Sequence, residues 1–325
     1  MEDSNTLDTL LERAGKYYPI HSGGLATHVP MVLTALKALG APKSKLVKTF
    51  NQSIDNLEKI DNLDNVTAID VMESELGNSK SYLRYLKYFQ SQLENCSLQE
   101  VLNKALPKLL PGIAASAFHG LIRLAFAIEA NCKSEIAVAL AYWSAEFQSF
   151  GLGEETTDES LEDILIRLSP LGENFDFSPG IIVDRMSEIG GLLRSRNEIV
   201  QPKIIDLETL RAFVLKIFYL QNDFTLLHTV TGCHALSVIL PYIESEELAL
   251  KELWKAILVG YLSTGLKFEN VEIEAGSCDC DFSPIIAKAL NADDAHIIKL
   301  IYSSYREYQK TYNPLYFFIA KRVFL

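Results

Sequence analysis

The stretch GIAASAFHGLIRLAFAIEAN, residues 112–131, is apolar on nearly every face when it is wound as an α-helix. A helix that is apolar all round has no solvated side, so other elements must enclose it. Pro111 directly precedes the stretch and, with Gly112, marks its beginning. The sequence therefore predicts a buried central helix, with the rest of the chain packed around it.

Helical patterns recur on both sides of this stretch. Pro30 stands at the first turn of one of them, and Asp206, Asn222 and Ser245 are typical N-cap residues before three more. The other predicted helices are 30–39, 134–149, 206–220, 222–240, 245–264 and 292–310, and a short apolar tail, 314–325, follows.

Segments that would form strands are scarce. The clearest alternation of apolar and polar side chains is in KFENVEIEA, residues 267–275, which is isolated and is either a loop or a short hairpin arm. We predict an all-α fold: a single large multi-helix domain, residues 1–325, with little or no β structure. A subdivision near residue 155 is the alternative.

The composition excludes several classes of protein. Of 325 residues 48% are hydrophobic and 22% charged, so the chain is not disordered as a whole. A net charge of −12 disfavours nucleic acid and anionic membrane as partners. The acidic start lacks the apolar core of a signal peptide, and we identify no apolar run of membrane-spanning length. These features predict a cytoplasmic protein.

Motifs for the common cofactors are missing from the sequence. We find no G-x-G-x-x-G after a strand, no G-x-x-x-x-G-K-[ST], no G-x-S-x-G and no H-E-x-x-H. The five cysteines are irregularly spaced and do not predict a disulfide framework. Cys278 and Cys280 form a C-x-C pair, but two thiolates are too few for a zinc site, so an ordinary loop is the simpler interpretation.

Histidines in apolar surroundings are the main candidates for a site. Burying an imidazole costs free energy unless hydrogen bonds or a metal use both ring nitrogens. Helices distant in sequence can combine inward-facing side chains into one metal site, although any single buried histidine is more often hydrogen-bonded to a carbonyl or hydroxyl than bound to a metal. The histidines at or within predicted buried helices are His28, His119, His228 and His296. His21 stands in a glycine-containing loop, and we do not expect it to be a ligand.

Lys255 lies within the apolar pattern LKELWKAILVGYLS, residues 250–263. Either its stem covers apolar surface while its amine reaches water, or it is a buried lysine with a lowered pKa. In the second case the neutral amine can react with carbon dioxide to form a carbamate, which is a carboxylate-like metal ligand. Lys251 and Glu252 are predicted to form the solvated face of this helix.

Five stretches resemble the questin oxidase-like family in order and spacing, across roughly residues 20–310. They are HVPMVLTALKALGA (28–41), SAFHGLIRLAFAIE (116–129), IAVALAYW (136–143), LLHTVTGCHAL (226–236) and DDAHIIKLIYSSYREY (293–308). The most specific elements are H-x-P-M, F-H-G-L-I-R and D-D-x-H-x-I-K-L. The resemblance implies an all-α oxidoreductase, in a family named for the oxidative opening of an anthraquinone ring.

The resemblance also implies a non-haem iron centre of the dioxygenase type, held by histidines and a carboxylated lysine. The family's four histidine elements match His28, His119, His228 and His296, and its W-K element matches Lys255. Lys299 is the alternative lysine, and His234 is the alternative fourth imidazole. The expected cofactor is Fe(II), although other divalent metals accept the same ligands.

The implied reactants are dioxygen and an aromatic or quinone-like small molecule. Arg123 and Tyr142 are further candidates for catalytic residues. Two other functions stay open. A helical binding or scaffold protein would hold no metal and would have its histidines bonded to backbone carbonyls. An NADPH-dependent oxidase of the Baeyer–Villiger type would need a dinucleotide site, for which the sequence has no fingerprint.

Overall fold

α-Helices dominate the computed structural model, which describes residues 4–273 and 280–323. The α-helices of these residues are α1 (Ser4–Ala14), α2 (Val29–Ala38), α3 (Lys43–Ile54), α4 (Tyr82–Asn95), α5 (Leu98–Leu109), α6 (His119–Glu129), α7 (Lys133–Ala145), α8 (Leu161–Glu173), α9 (Ile182–Ser195), α10 (Leu207–Gln221), α11 (Phe224–Ile239), α12 (Glu246–Leu262), α13 (Ser283–Asn291), α14 (Ala295–Thr311) and α15 (Leu315–Arg322). The predicted all-α class is confirmed.

Two small strand pairs and two isolated bridges are the β structure of the described residues. β1 (Ile20–His21) pairs with β2 (Leu25–Ala26) in an antiparallel hairpin, and β3 (Thr156–Thr157) pairs with β4 (Gln201–Pro202) in parallel. The alternating stretch at 267–275 is a loop and not a hairpin arm over its described part, 267–273. Its last two residues lie outside the described residues, as does Cys278 of the C-x-C pair.

Four helices pack against one another at the centre of the molecule. α6 contacts α2 and α11, and α14 contacts the same two helices. α7 covers another side of α6, where a Cβ atom on Gly120 would lie only 2.9 Å from Cγ of Trp143. Glycine at this position therefore lets α6 and α7 approach closely. Buried side chains on both sides of residue 155 belong to one hydrophobic core.

The central helix begins later than the sequence predicts. Ser116, Ala117 and Phe118 have φ angles of 48°, 54° and 69°, in the left-handed region. Left-handed residues cannot continue a right-handed helix, so α6 begins only at His119. The ring of Phe118 is fully buried and packs against Gly232 of α11. This packing holds the turn in its strained conformation.

The boundary between α10 and α11 also differs from the prediction. Asn222 does not cap α11; it is left-handed, with φ of 50°, and ends α10. Asp223 caps α11 instead, because its carboxylate accepts hydrogen bonds from the amides of Thr225 and Leu226. The predicted N-caps Asp206 and Ser245 are confirmed.

One helical segment of the described chain, Phe224–Tyr242, is long and apolar enough to cross a bilayer by length and composition alone. Within the fold, 72% of its apolar window is buried. Its apolar character therefore also follows from its place in the core.

Candidate metal centre

The four central helices begin at one cavity of about 600 Å³. His28 is the N-cap residue of α2, His119 is the first residue of α6, and His296 is the second residue of α14. His228 lies in the second turn of α11. All four line the cavity, so the structure brings together the histidines that the sequence singled out. The amino ends of four helices also place partial positive charge there.

The four imidazoles form a tight cluster. The Nε2 atoms of His28 and His119 lie 2.8 Å apart. His28, His119 and His296 each offer a ring nitrogen, and these three atoms lie within 4.8 Å of one another. The ring of His228 lies 4.9 Å from that of His119 and 5.2 Å from that of His296, measured between centroids. This spacing allows several imidazoles to face one small ion.

Backbone carbonyls fix the orientation of two of the rings. Nδ1 of His119 lies 2.6 Å from the carbonyl oxygen of Ser116, and Nδ1 of His228 lies 2.9 Å from that of Phe224. A carbonyl oxygen only accepts, so each Nδ1 carries the proton and each Nε2 carries the lone pair. Metal-binding histidines are oriented in this way. Ser116 belongs to the left-handed turn before α6, so this turn positions the carbonyl oxygen that orients the ring of His119.

The Nε2 atom of His228 is buried and has no hydrogen-bond partner. A buried acceptor left without a partner costs about 1–3 kcal/mol. A metal ion between the rings would remove that cost. The donor set of the cavity therefore fits a divalent metal.

The clustered imidazoles are neutral at pH 7. Burial lowers the pKa of His28, His119 and His228 well below the ordinary value, and the nearby charge of Lys299 lowers it further. The same two causes lower the pKa of His296 to about 3. Because a protonated imidazole cannot bind a metal, these shifts keep the ring nitrogens available as ligands.

Lys299 lies beside the histidine cluster, one turn after His296 on α14. Its Nζ atom is buried and has no hydrogen-bond partner, and burial lowers its pKa to about 7. A substantial fraction of this amine is therefore neutral at physiological pH. Among the lysines proposed from the sequence, Lys299 is the one that the structure places with the histidines.

Lys255 lies elsewhere, which corrects the expectation that it completes the ligand set. It lines a separate cavity of about 330 Å³, and its Nζ atom lies 2.7 Å from Glu252 and 3.0 Å from Glu154. Burial alone would lower its pKa, but the two carboxylates raise it. An ammonium held in this way stays protonated and does not form a carbamate. Glu252 is 8% exposed, so its predicted place on a solvated face is wrong as well.

His234, the alternative fourth imidazole, does not line the cavity. Its Nδ1 atom lies 2.9 Å from Glu307, and its Nε2 atom lies 3.6 Å from Glu129. Burial alone would lower the pKa of His234, but the hydrogen bonds and charges of the two carboxylates raise it. His234 thus lies between two carboxylates that favour its protonated form, away from the cavity.

Arg123 and Tyr142 do not reach the cavity either. The guanidinium of Arg123 pairs with Glu135 through bonds of 2.6 and 3.2 Å, and both side chains are 1% exposed. The Tyr142 ring centroid lies 5.9 Å from Cζ of this arginine, and burial raises the pKa of the tyrosine. Both belong to the packing between α6 and α7, and their proposed catalytic role is not supported by their position.

Sequence reasoning missed the mouth of the cavity. The ring of Phe224 lies 5.1 Å from His228 and 4.6 Å from His296, and it is 52% exposed. Arg185 of α9 and Leu25 of the β1–β2 hairpin also line the mouth. Phe224 precedes His228 by four residues and therefore lies on the same helix face. This spacing in the sequence could have identified Phe224 as a neighbour of the site. His21, discounted as a ligand, lies at the same rim.

The chain belongs to the questin oxidase-like family, whose model matches residues 25–168 and 216–304. This family suggests an oxidoreductase that acts on aromatic compounds. The matched parts contain the four clustered histidines and Lys299, whereas Arg185 and α9 lie between them. No curated protein matches the chain.

Proposed function

We propose that this protein is a metal-dependent oxygenase of an aromatic or quinone-like small molecule. The observation that supports this proposal most directly is the buried Nε2 atom of His228, which has no hydrogen-bond partner and lies in a cluster of neutral imidazoles. The residues that would hold the metal are His28, His119, His228 and His296. Fe(II) is the metal we expect, and imidazole also accepts other divalent metals.

Lys299 is the residue that we propose as the carboxylated lysine, in place of Lys255. Its neutral amine would form a nitrogen–carbon bond with carbon dioxide and release one proton, leaving a carbamate with one negative charge. Among the described residues that line the cavity no side chain is acidic, so the carbamate would supply the anionic oxygen that balances a divalent cation.

Fe(II) bound there would supply the electrons that activate dioxygen. The chain's own residues would bind and shield the aromatic substrate. The half-exposed ring of Phe224 offers a stacking surface beside the imidazoles. Leu25 and Ile181 line the mouth with apolar surface, which would exclude water from the bound ring.

A helical binding protein without metal is the second candidate. The carbonyl hydrogen bonds of His119 and His228 favour it, because they give each ring one partner without any metal. They leave Nε2 of His228 unsatisfied, however, and this is why the metal-dependent function is preferred.

Metal content measured by mass spectrometry separates the two functions. The protein is prepared without a metal-affinity tag and loaded anaerobically with Fe(II). We expect about one metal ion per chain, since the cluster can enclose a single ion. His119→Ala should lose the metal and keep its circular dichroism spectrum. Absence of metal from the wild type, or full retention in the variant, would contradict the proposal.

Spectroscopy of the same samples tests the remaining alternatives. An iron–nitrosyl absorption band after addition of nitric oxide supports the iron site. Release of flavin on denaturation would instead favour the NADPH-dependent oxidase.

A further inference from the structure

Arg185 is the only permanently charged side chain among the described residues that line the histidine cavity. It lies in the first turn of α9, at the mouth, and it is exposed. No aspartate, glutamate or lysine of the described residues lines the cavity with it. The mouth therefore carries a single positive charge that nothing within the cavity neutralises.

The acids nearest to Arg185 in sequence are engaged elsewhere. The carboxylate of Asp184 accepts a hydrogen bond from the amide of Ile181 at 2.8 Å, and that of Glu188 accepts one from the amide of Ser178 at 3.1 Å. Among the described residues, the contact found for the guanidinium is the ring of Phe177, 6.0 Å away. By contrast, the arginines that form ion pairs include Arg84, Arg123, Arg167 and Arg211. Within the described part of the chain no carboxylate pairs with Arg185, so its guanidinium is available for an external anion.

The rest of the mouth is apolar. Phe224 and Leu25 are 52% and 48% exposed, so they present apolar surface where a ligand would enter. A guanidinium offers parallel N–H donors in a planar fork that matches the two oxygens of a carboxylate. The amino ends of the helices around the cavity carry partial positive charge, which also favours a negatively charged ligand. These features together suit a ligand with a flat apolar ring and one carboxylate.

We infer that the substrate of this protein is an aromatic carboxylate whose acid group pairs with Arg185 at the cavity mouth. The inference rests on the proposed function for the reaction and adds the class of substrate. Arg185 lies outside the parts of the chain that match the family model, so this preference is a property of the segment between them.

The test compares the binding of two probes that differ in charge. 2-Naphthoate carries a carboxylate, and 2-naphthamide is its neutral counterpart of nearly the same shape. Affinities are measured by calorimetry at neutral pH on the full chain, both as purified and after a chelator has removed divalent metal. The chelated sample shows whether the preference persists when the carboxylate cannot bind a metal. Metal content, measured separately, tests the oxygenase proposal independently.

We expect the wild type to prefer naphthoate by about fivefold in both samples, which corresponds to about 1 kcal/mol for an exposed ion pair. Arg185→Gln should abolish the preference, and Arg185→Lys should keep part of it. Arg196→Gln, which removes an exposed charge from the other end of α9, is the matched control and should keep all of it. An unchanged preference in Arg185→Gln, or a wild type that binds neither probe or both equally, would overturn the inference.

Discussion

Nε2 of His28 lies 2.8 Å from Nε2 of His119, and only one of these two atoms carries a proton. His119 holds its proton on Nδ1, because that atom donates to the carbonyl oxygen of Ser116. His28 must therefore donate from Nε2 when no metal is bound. A metal held by both Nε2 atoms needs two lone pairs, so the proton of His28 would have to move to Nδ1.

This relationship predicts a tautomer change on metal binding. In nitrogen-15 spectra of histidine-labelled protein, His28 should be protonated on Nε2 without metal and on Nδ1 with diamagnetic Zn(II). His119 and His228 should be protonated on Nδ1 in both states, since their carbonyl partners do not change. Spectra in which His28 keeps its proton on Nε2 with Zn(II) bound would remove it from the ligand set.

The two lysines offer a matched pair of variants. Lys299→Met should lower metal affinity at least about tenfold, because it removes the proposed anionic ligand. It should also abolish any carbamate signal after incubation with carbon-13 bicarbonate. Lys255→Met should keep the metal and lose about 1–3 kcal/mol of stability, since Glu252 is left buried without its partner. Loss of metal in Lys255→Met together with its retention in Lys299→Met would identify Lys255 as the ligand instead.

Stability of the metal-free protein should depend on pH through Lys299. Its pKa is about 7 in the fold and about 10.4 in the unfolded chain, so between these values the unfolded state binds more protons. The free energy of unfolding should therefore rise from pH 7 towards pH 10. In chemical denaturation, Lys299→Met should show a smaller slope over this range than the wild type. Equal slopes would mean that the amine is not buried as described.

The histidine cluster should make the metal-free protein sensitive to acid. The pKa of His296 is lowered to about 3 by burial and by Lys299, against about 6.5 in the unfolded chain. Between these two values the unfolded state binds more protons than the folded state. The free energy of unfolding should therefore fall as the pH drops from 6.5 towards 3. His296→Gln should show a smaller loss over this range. Binding of metal should protect the wild type and not the variant.

His234 should be important for stability and not for metal binding. His234→Ala removes a buried imidazole that lies 2.9 Å from Glu307 and 3.6 Å from Glu129, and loss of a buried hydrogen-bond partner costs about 1–3 kcal/mol. We expect a clearly lower melting temperature with unchanged metal content. His119→Ala should show the opposite result, a loss of metal with little change in melting temperature. A loss of metal in His234→Ala would instead identify His234 as a ligand.

The helices and the histidines were predictable because both leave a local signal. Apolar periodicity marks α2, α7 and α11, and an imidazole within such a pattern stands out. The convergence of His28 and His296 left no such signal, because nothing in the spacing of distant helices fixes their contact. The resemblance to the family supplied that link, and the structure brings the rings together.

The errors have local physical causes. The left-handed turn before His119 is invisible in sequence, because serine, alanine and phenylalanine do not favour that conformation. The choice of Lys255 failed because its amine pairs with two carboxylates, and one of them, Glu154, comes from a loop about a hundred residues away. Lys299 did leave a signal, since a spacing of three residues places it on the same helix face as His296.

The order in which the chain is synthesised bears on when the site can form. His28 lies near one end of the chain and His296 near the other, and the two rings meet at 4.4 Å between centroids. A nascent chain that stops before α14 lacks both His296 and Lys299 and cannot assemble the cluster. If the proposed metal binds at the full cluster, its binding would therefore follow the folding of the last long helix and would report that α2 and α14 have docked.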